Sequence, residues 1–337
     1  MYSSHNKRTI FKRNIIPINI LISQYQTRLN INMQLHTLLM FFVLVFASCS
    51  KLEQIEPAGI ETNIEADSIV FAGIGDYGYD GIHETYVAEM VKSWNPDFII
   101  TAGDNNYTEG KLKTIIANIG KHFGDYIYNY DAPSKYQCKG KAFNEQINRF
   151  FPAPGNHDAN NKDKLVPYFN YFTLPGNENY YSFTWGPVTF YSLNTLENNL
   201  SIQKKWLEDK LKQSSSQFNI VFCHHPPYSN GTHGCNTNIQ WDFKSMGVDV
   251  VFAGHDHIYN RIQKKGEDDV YYIVNGLGGM NVRKCNENPL PENIFSTFNY
   301  DGDYGATKAI VTKHKLTMEF YSISNPGSPI DRIQICK

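Results

Sequence analysis

The chain lacks a charge excess. Its 31 basic and 33 acidic residues leave a formal net charge of −2 over 337 residues, with no long block of either sign. Nucleic-acid binders carry a basic patch or stripe that neutralises phosphates, so no nucleic acid is expected as a partner. No apolar run reaches the roughly twenty residues that a membrane-spanning helix needs. Internal repeats and low-complexity tracts are missing, which excludes solenoid and collagen-like architectures. Cysteine is sparse, six in all, and no Cys-x-x-Cys spacing occurs, so a thiolate metal site is not expected. What the chain does have is 14% aromatic residues against 19% charged ones, the balance of a folded chain long enough to bury a large core.

The N-terminus differs from the rest. Leu38 to Ala47 is an unbroken apolar run followed by Ser48-Cys49-Ser50, which suits the core of a signal peptide. Ala47 and Ser48 before Cys49 resemble a bacterial lipobox, with Phe46 where leucine is usual; Cys49 would then carry a lipid anchor to a membrane. Residues before Met33 include Lys7, Arg8, Lys12 and Arg13, a charged leader or an upstream start. The expected product is exported: secreted, periplasmic or a membrane-anchored lipoprotein. Residues 1–50 read as leader and signal peptide, 51–67 as a polar acidic linker, 68–325 as one catalytic domain and 326–337 as a C-terminal tail. Export permits disulfides. Cys223, inside an apolar strand, reads as a buried free thiol, while Cys138, Cys235, Cys285 and Cys336 allow up to two bridges.

Within the domain, short apolar runs rich in β-branched and aromatic residues stop abruptly at polar residues. Ser68–Ala72 leads to Gly75-Asp76, Phe98–Thr101 to Gly103-Asp104, Phe218–Cys223 to His224, and Val248–Ala253 to Gly254-His255-Asp256-His257. Phe150–Pro154 leads into Gly155-Asn156-His157. Helical spacing of Val87, Met90, Val91 and Trp94 places a helix after the first strand, and Leu112, Ile115, Ile116 and Ile119 mark a second. Residues 123–149 read as a loop-rich excursion. Tyr180–Trp185 and Val188–Leu193 around Gly186-Pro187 read as a hairpin. Ser201 is a candidate helix cap. Strands alternating with helices make an α/β fold, in which ligands bind beyond the carboxyl ends of strands. His255 and His257, two apart on an extended segment, face one space.

Asp76, Asp104, Asn156, His224, His255 and His257 therefore form an oxygen and nitrogen donor set without sulfur, suited to iron, manganese or zinc. It holds too many ligands for one tetrahedral ion. Two ions a few ångströms apart, sharing a carboxylate, form the clamp of two-metal hydrolases.

The five segments Gly75-Asp76-Tyr77-Gly78, Gly103-Asp104-Asn105-Asn106-Tyr107, Gly155-Asn156-His157, Val221-Phe222-Cys223-His224 and Gly254-His255-Asp256-His257 resemble, in order, the five blocks of the purple acid phosphatases, members of the calcineurin-like metallophosphoesterase superfamily. The resemblance implies a four-layer αββα sandwich of two mixed β-sheets flanked by helices. It implies that Asp76, Tyr107 and His257 hold a first metal, Fe3+, through the tyrosine phenolate. Asn156, His224 and His255 would hold a second, Fe2+, Zn2+ or Mn2+, and Asp104 would bridge. His157 and His233 would be catalytic, binding the phosphoryl group or protonating the leaving alcohol. The implied activity is hydrolysis of small phosphate monoesters by a metal-bound hydroxide. Two alternatives stay open: a phosphodiesterase of the same superfamily acting on nucleotides or phospholipids, and a non-catalytic phosphate- or metal-binding surface protein. His225 lines the pocket or packs beside Pro226; Asp158 and Asp256 read as supporting or turn residues. His83, His122 and His314 have no assigned role.

Overall fold

The computed structural model describes residues 61–62, 68–266 and 269–337. The leader, Cys49 and most of the linker lie outside the described residues. Among the described residues, no helix is long and apolar enough to cross a membrane.

The apolar runs form strands because their side chains are buried on both faces, as central strands beneath helices require. In chain order the strands are β1 Glu61–Thr62, β2 Ile69–Ile74, β3 Phe98–Thr101, β4 Phe150–Pro152, β5 Tyr181–Trp185, β6 Val188–Leu193 and β7 Phe218–Cys223. They continue as β8 Val250–Ala253, β9 Tyr259–Lys264, β10 Tyr271–Asn275, β11 Ile294–Tyr300, β12 Gly305–Thr312, β13 Lys315–Ser322 and β14 Asp331–Cys336. Two mixed sheets result, an eight-stranded one ordered β1-β5-β6-β7-β8-β10-β9-β11 and a six-stranded one ordered β14-β13-β12-β2-β3-β4. In the first, β6, β7, β8 and β10 run parallel. In the second, β2, β3 and β4 run parallel while β12, β13 and β14 return antiparallel.

The sheets face each other across an aromatic seam. Phe71 of β2 meets Phe190 of β6 edge-on at 5.1 Å, and Phe151 of β4 stacks on Phe183 of β5 at 3.8 Å. Further along, Tyr259 stacks on Phe320 at 4.1 Å. All six rings are almost fully buried. Each such ring stabilises the fold by about 1.5–3 kcal/mol through removal from water. At Gly73 the seam leaves no room for a side chain: a Cβ would lie 2.7 Å from the Phe252 ring.

The helix after β2 is α1, Ile82–Ser93, which buries Val87, Met90 and Val91. Its end is marked by Asn95, at φ 46°, before Pro96. The second expected helix is one π-helical turn, Ile116–Gly120, running into α2, Lys121–Phe123; Ile115 and Ile119 point inward, Ile116 outward. Short helices α3 Lys141–Glu145 and α4 Val166–Phe169 follow. Helix α5, Ser201–Gln213, begins at Ser201 instead of being capped by it, and the Asn199 side chain accepts the Ser201 N–H at 3.0 Å. Last comes α6, Phe243–Met246.

Residues 331–336, read from sequence as part of a tail, form β14 on the edge of the second sheet, with Ile333 and Ile335 buried against it. The expected bridges are not formed: Cys138, Cys223, Cys235, Cys285 and Cys336 are all free thiols. Cys138 is buried, with its Sγ 3.1 Å from the Tyr171 hydroxyl, while Cys336 is exposed on β14.

Candidate metal centre

The carboxyl ends of β2, β3 and β4 in one sheet and β7 and β8 in the other converge, and each delivers polar side chains within a few residues of its last strand position. The turns are tight. Asp76, Asp104 and His255 have φ of 56°, 52° and 70°, a left-handed conformation that few residues other than glycine adopt. Three such residues at one site are the mark of a backbone held in place for function. Gly103 makes the close approach possible: at φ 84°, a Cβ there would lie 2.6 Å from His224 Nδ1.

Two groups of donors face each other across Asp104. On one side, Tyr107 Oη lies 3.2 Å from Asp76 Oδ1, 2.9 Å from Asp104 Oδ2 and 3.3 Å from His257 Nε2. Asp76 Oδ1 is also 3.4 Å from His257 Nε2. On the other side, His224 Nε2 lies 2.8 Å from Asn156 Oδ1, 3.1 Å from His255 Nδ1 and 3.4 Å from Asp104 Oδ1. Backbone donors hold both carboxylates: His255 N–H donates to Asp76 Oδ2 at 2.8 Å, and His157 N–H to Asp104 Oδ1 at 2.7 Å. Asp104 thus gives one oxygen to each group.

Outer hydrogen bonds orient the imidazoles. His224 Nδ1 donates to the Ala102 carbonyl at 2.8 Å, so its Nε2 is the nitrogen left for the site. His257 Nδ1 bonds the Asn281 amide oxygen. This is the arrangement that fixes the tautomer of metal-ligating histidines. Asp158 accepts the Gly155 N–H at 2.8 Å and the Asn105 backbone and amide N–H groups, tying the third block to the second. Burial lifts its pKa to about 6. Asp256 accepts the Ser229 hydroxyl and the backbone N–H groups of His233 and Gly234. Both acids support loops, as read from sequence.

His157 and His233 flank the donors. The His157 ring packs 4.4 Å from the Tyr107 ring and donates from Nδ1 to the Thr108 carbonyl at 2.7 Å. The His233 ring stacks on His255 at 4.1 Å. Burial lowers the His233 pKa.

The donor set fits cations. Asp76 and Asp104 are buried, and among the described residues neither pairs with a lysine or arginine; only imidazoles, a phenol and N–H groups meet them. Buried carboxylates without a compensating charge are costly. Burial and the two carboxylates hold the Tyr107 phenol well above its ordinary pKa, so ionising it takes a local positive charge. Despite burial, the Asp104 and His224 pair moves toward its charged forms, Asp104 down and His224 up.

Sequence reasoning missed Asn281 and Thr195. Asn281 follows a glycine cluster whose spacing carries no ligand signature, and Thr195 reaches His225 only through the meeting of two loops.

The calcineurin-like phosphoesterase family profile matches residues 69–259, more than half of the chain, and the chain belongs to that family. Within it the chain is similar to purple acid phosphatases. It is 28% identical over 247 residues to purple acid phosphatase 23 of Arabidopsis thaliana, covering 63% of this chain and 53% of that protein. With Fe(3+)-Zn(2+) purple acid phosphatase 12 of the same plant it shares 38% over 135 residues, 37% of this chain and 27% of the relative. The solved structure of purple acid phosphatase PPD1 from Lupinus luteus superposes with a TM-score of 0.61 at 17% identity, over 81% of this chain and 54% of that one. The chain thus spans about half, or less, of the length of these relatives.

Proposed function

We propose that this chain hydrolyses phosphate monoesters at a dinuclear metal centre. The observation that carries the reading is Asp104, whose two oxygens serve two separate donor groups. Asp76, Tyr107 and His257 would hold the first cation, and Asn156, His224 and His255 the second. When bound, the pair supplies Lewis acidity toward the phosphoryl oxygens and lowers the pKa of water. The phenol and the iron-zinc name of one relative favour Fe3+ in the first position and a divalent ion such as Zn2+ in the second.

The chain's own groups do the rest. With Nδ1 committed to the Thr108 carbonyl, His157 presents Nε2 to the substrate and carries a proton there only as an imidazolium. Protonation of the leaving alcohol through His157 therefore requires the doubly protonated ring. His233, beside His255, is the second candidate to bind a phosphoryl oxygen. Cys223 adjoins His224 but is no nucleophile: burial pushes its thiol up to about 12, and it donates to the His225 carbonyl. The apolar run Leu38–Ala47 before Cys49 supports export, with lipidation at Cys49 the finer form of that proposal.

The test is turnover of p-nitrophenyl phosphate with metals counted. The reading predicts metal-dependent release of nitrophenol that disappears in Asn156→Ala and His255→Ala. Preference for bis-p-nitrophenyl phosphate would replace it with the diesterase reading. A folded protein loaded with two metals and inert toward both would replace it with the binding-protein reading.

A further inference from the structure

His225 is an imidazole that the dinuclear reading leaves unused. It follows His224 directly, is half-buried, and a ring nitrogen of each of His224, His225 and His255 lies within 4.8 Å of the others. Its ring meets His255 edge-on at 4.4 Å and His224 at 5.1 Å.

Its outer contacts resemble those of His224 and His257. Buried Thr195 accepts the His225 backbone N–H at 3.0 Å, and the same Oγ1 lies 3.0 Å from His225 Nδ1. In the tautomer protonated at Nδ1, the two lone pairs of the Thr195 hydroxyl take both the backbone N–H and the Nδ1–H. The second ring nitrogen then keeps its lone pair and makes no hydrogen bond among the described residues. His224 shows the same division, Nδ1 donated to an oxygen outside the donor group and Nε2 left over. So does His257. A ring that only packed beside Pro226 would have no need of a hydroxyl that holds both its backbone and its ring.

We propose that His225 is an additional ligand of the second cation, so that this pocket presents three imidazoles and takes zinc in preference to manganese. The proposal rests on the dinuclear reading above. Imidazole favours zinc, whereas manganese is served by carboxylate, carbonyl and water; each added nitrogen moves the pocket toward zinc.

The experiment strips the full-length protein of metal, reloads it with zinc or manganese, and measures stoichiometry and the affinity of the weaker ion by chelator competition. Wild type is expected to bind two zinc ions, and His225→Gln to hold the weaker one at least about 10-fold less tightly, with manganese affinity little changed. Thr195→Val should shift zinc affinity in the same direction by less. X-ray absorption on the zinc-loaded wild type guards against a variant that does not fold. It should count more imidazole per zinc than His224, His255 and His257 alone provide. Fewer than two ions in the wild type would overturn the dinuclear reading itself. Two ions with unchanged zinc affinity in His225→Gln, or no imidazole beyond those three, would overturn only the assignment of His225. A variant with intact metal affinity but weakened inhibition by inorganic phosphate would also overturn it and make His225 a substrate contact.

Discussion

The two sides of the centre differ in donor type and in exposure. The tyrosine side gathers Asp76, Tyr107, His257 and one Asp104 oxygen, and its three own residues are 0%, 3% and 5% exposed. The histidine side gathers Asn156, His224, His255 and the other Asp104 oxygen, with Asn156 and His255 only half-buried. One side is oxygen-rich and sealed; the other mixes oxygen with nitrogen and is more open. On the proposed reading the first would retain a hard cation and the second would exchange a borderline one. The open side is where a substrate has access.

Removal of the shared element should have the largest effect. Asp104→Asn removes the negative charge the two groups share and is expected to lower kcat by about 10³-fold, since breaking a buried charge pair costs about 3–5 kcal/mol. A metal count on that variant should show loss on both sides; loss of one ion alone would break the picture of a shared carboxylate. His157→Ala tests the ring that packs on Tyr107 without touching a donor. It should cost about 10²-fold in kcat, with metal content unchanged. An unaltered kcat would remove His157 from proton transfer. Asn281→Ala, which releases His257 Nδ1, should weaken only the tyrosine-side ion, by about 10-fold. Smallest of all, Cys223→Ala should leave turnover unchanged, because its thiol is buried and held protonated.

Much of this centre was legible in the sequence because each donor follows a strand that advertises itself. β2, β3, β7 and β8 are buried on both faces, so they read as apolar runs, and Asp76, Asp104, His224 and His255 stand just past their ends. β9 and β11 did not read as strands. They pair antiparallel near the sheet edge, and β11 exposes or half-exposes every residue, so no apolar run or clean alternation marks it. β14 alternates buried and exposed residues, but its inner face offers only Asp331, Ile333 and Ile335, too little to separate from a tail. Local spacing likewise could not find Asn281 or Thr195, whose partners lie 24 and 30 residues away. The four-cysteine set allowed two bridges by count, whereas the fold buries Cys138 and leaves Cys336 exposed on an outer strand. Which loops meet is decided by the packing of the two sheets, and residue spacing does not carry that information.

The central claim is that the two sides hold chemically different cations around Asp104. The most direct measurement is the visible spectrum of the purified protein, with metals counted in the same sample before and after brief chelation. The account predicts a broad charge-transfer band from the Tyr107 phenolate on ferric iron, retained while the histidine-side ion is lost first, and missing in Tyr107→Phe. A colourless protein with two zinc or two manganese ions, or a band that survives Tyr107→Phe, would contradict it.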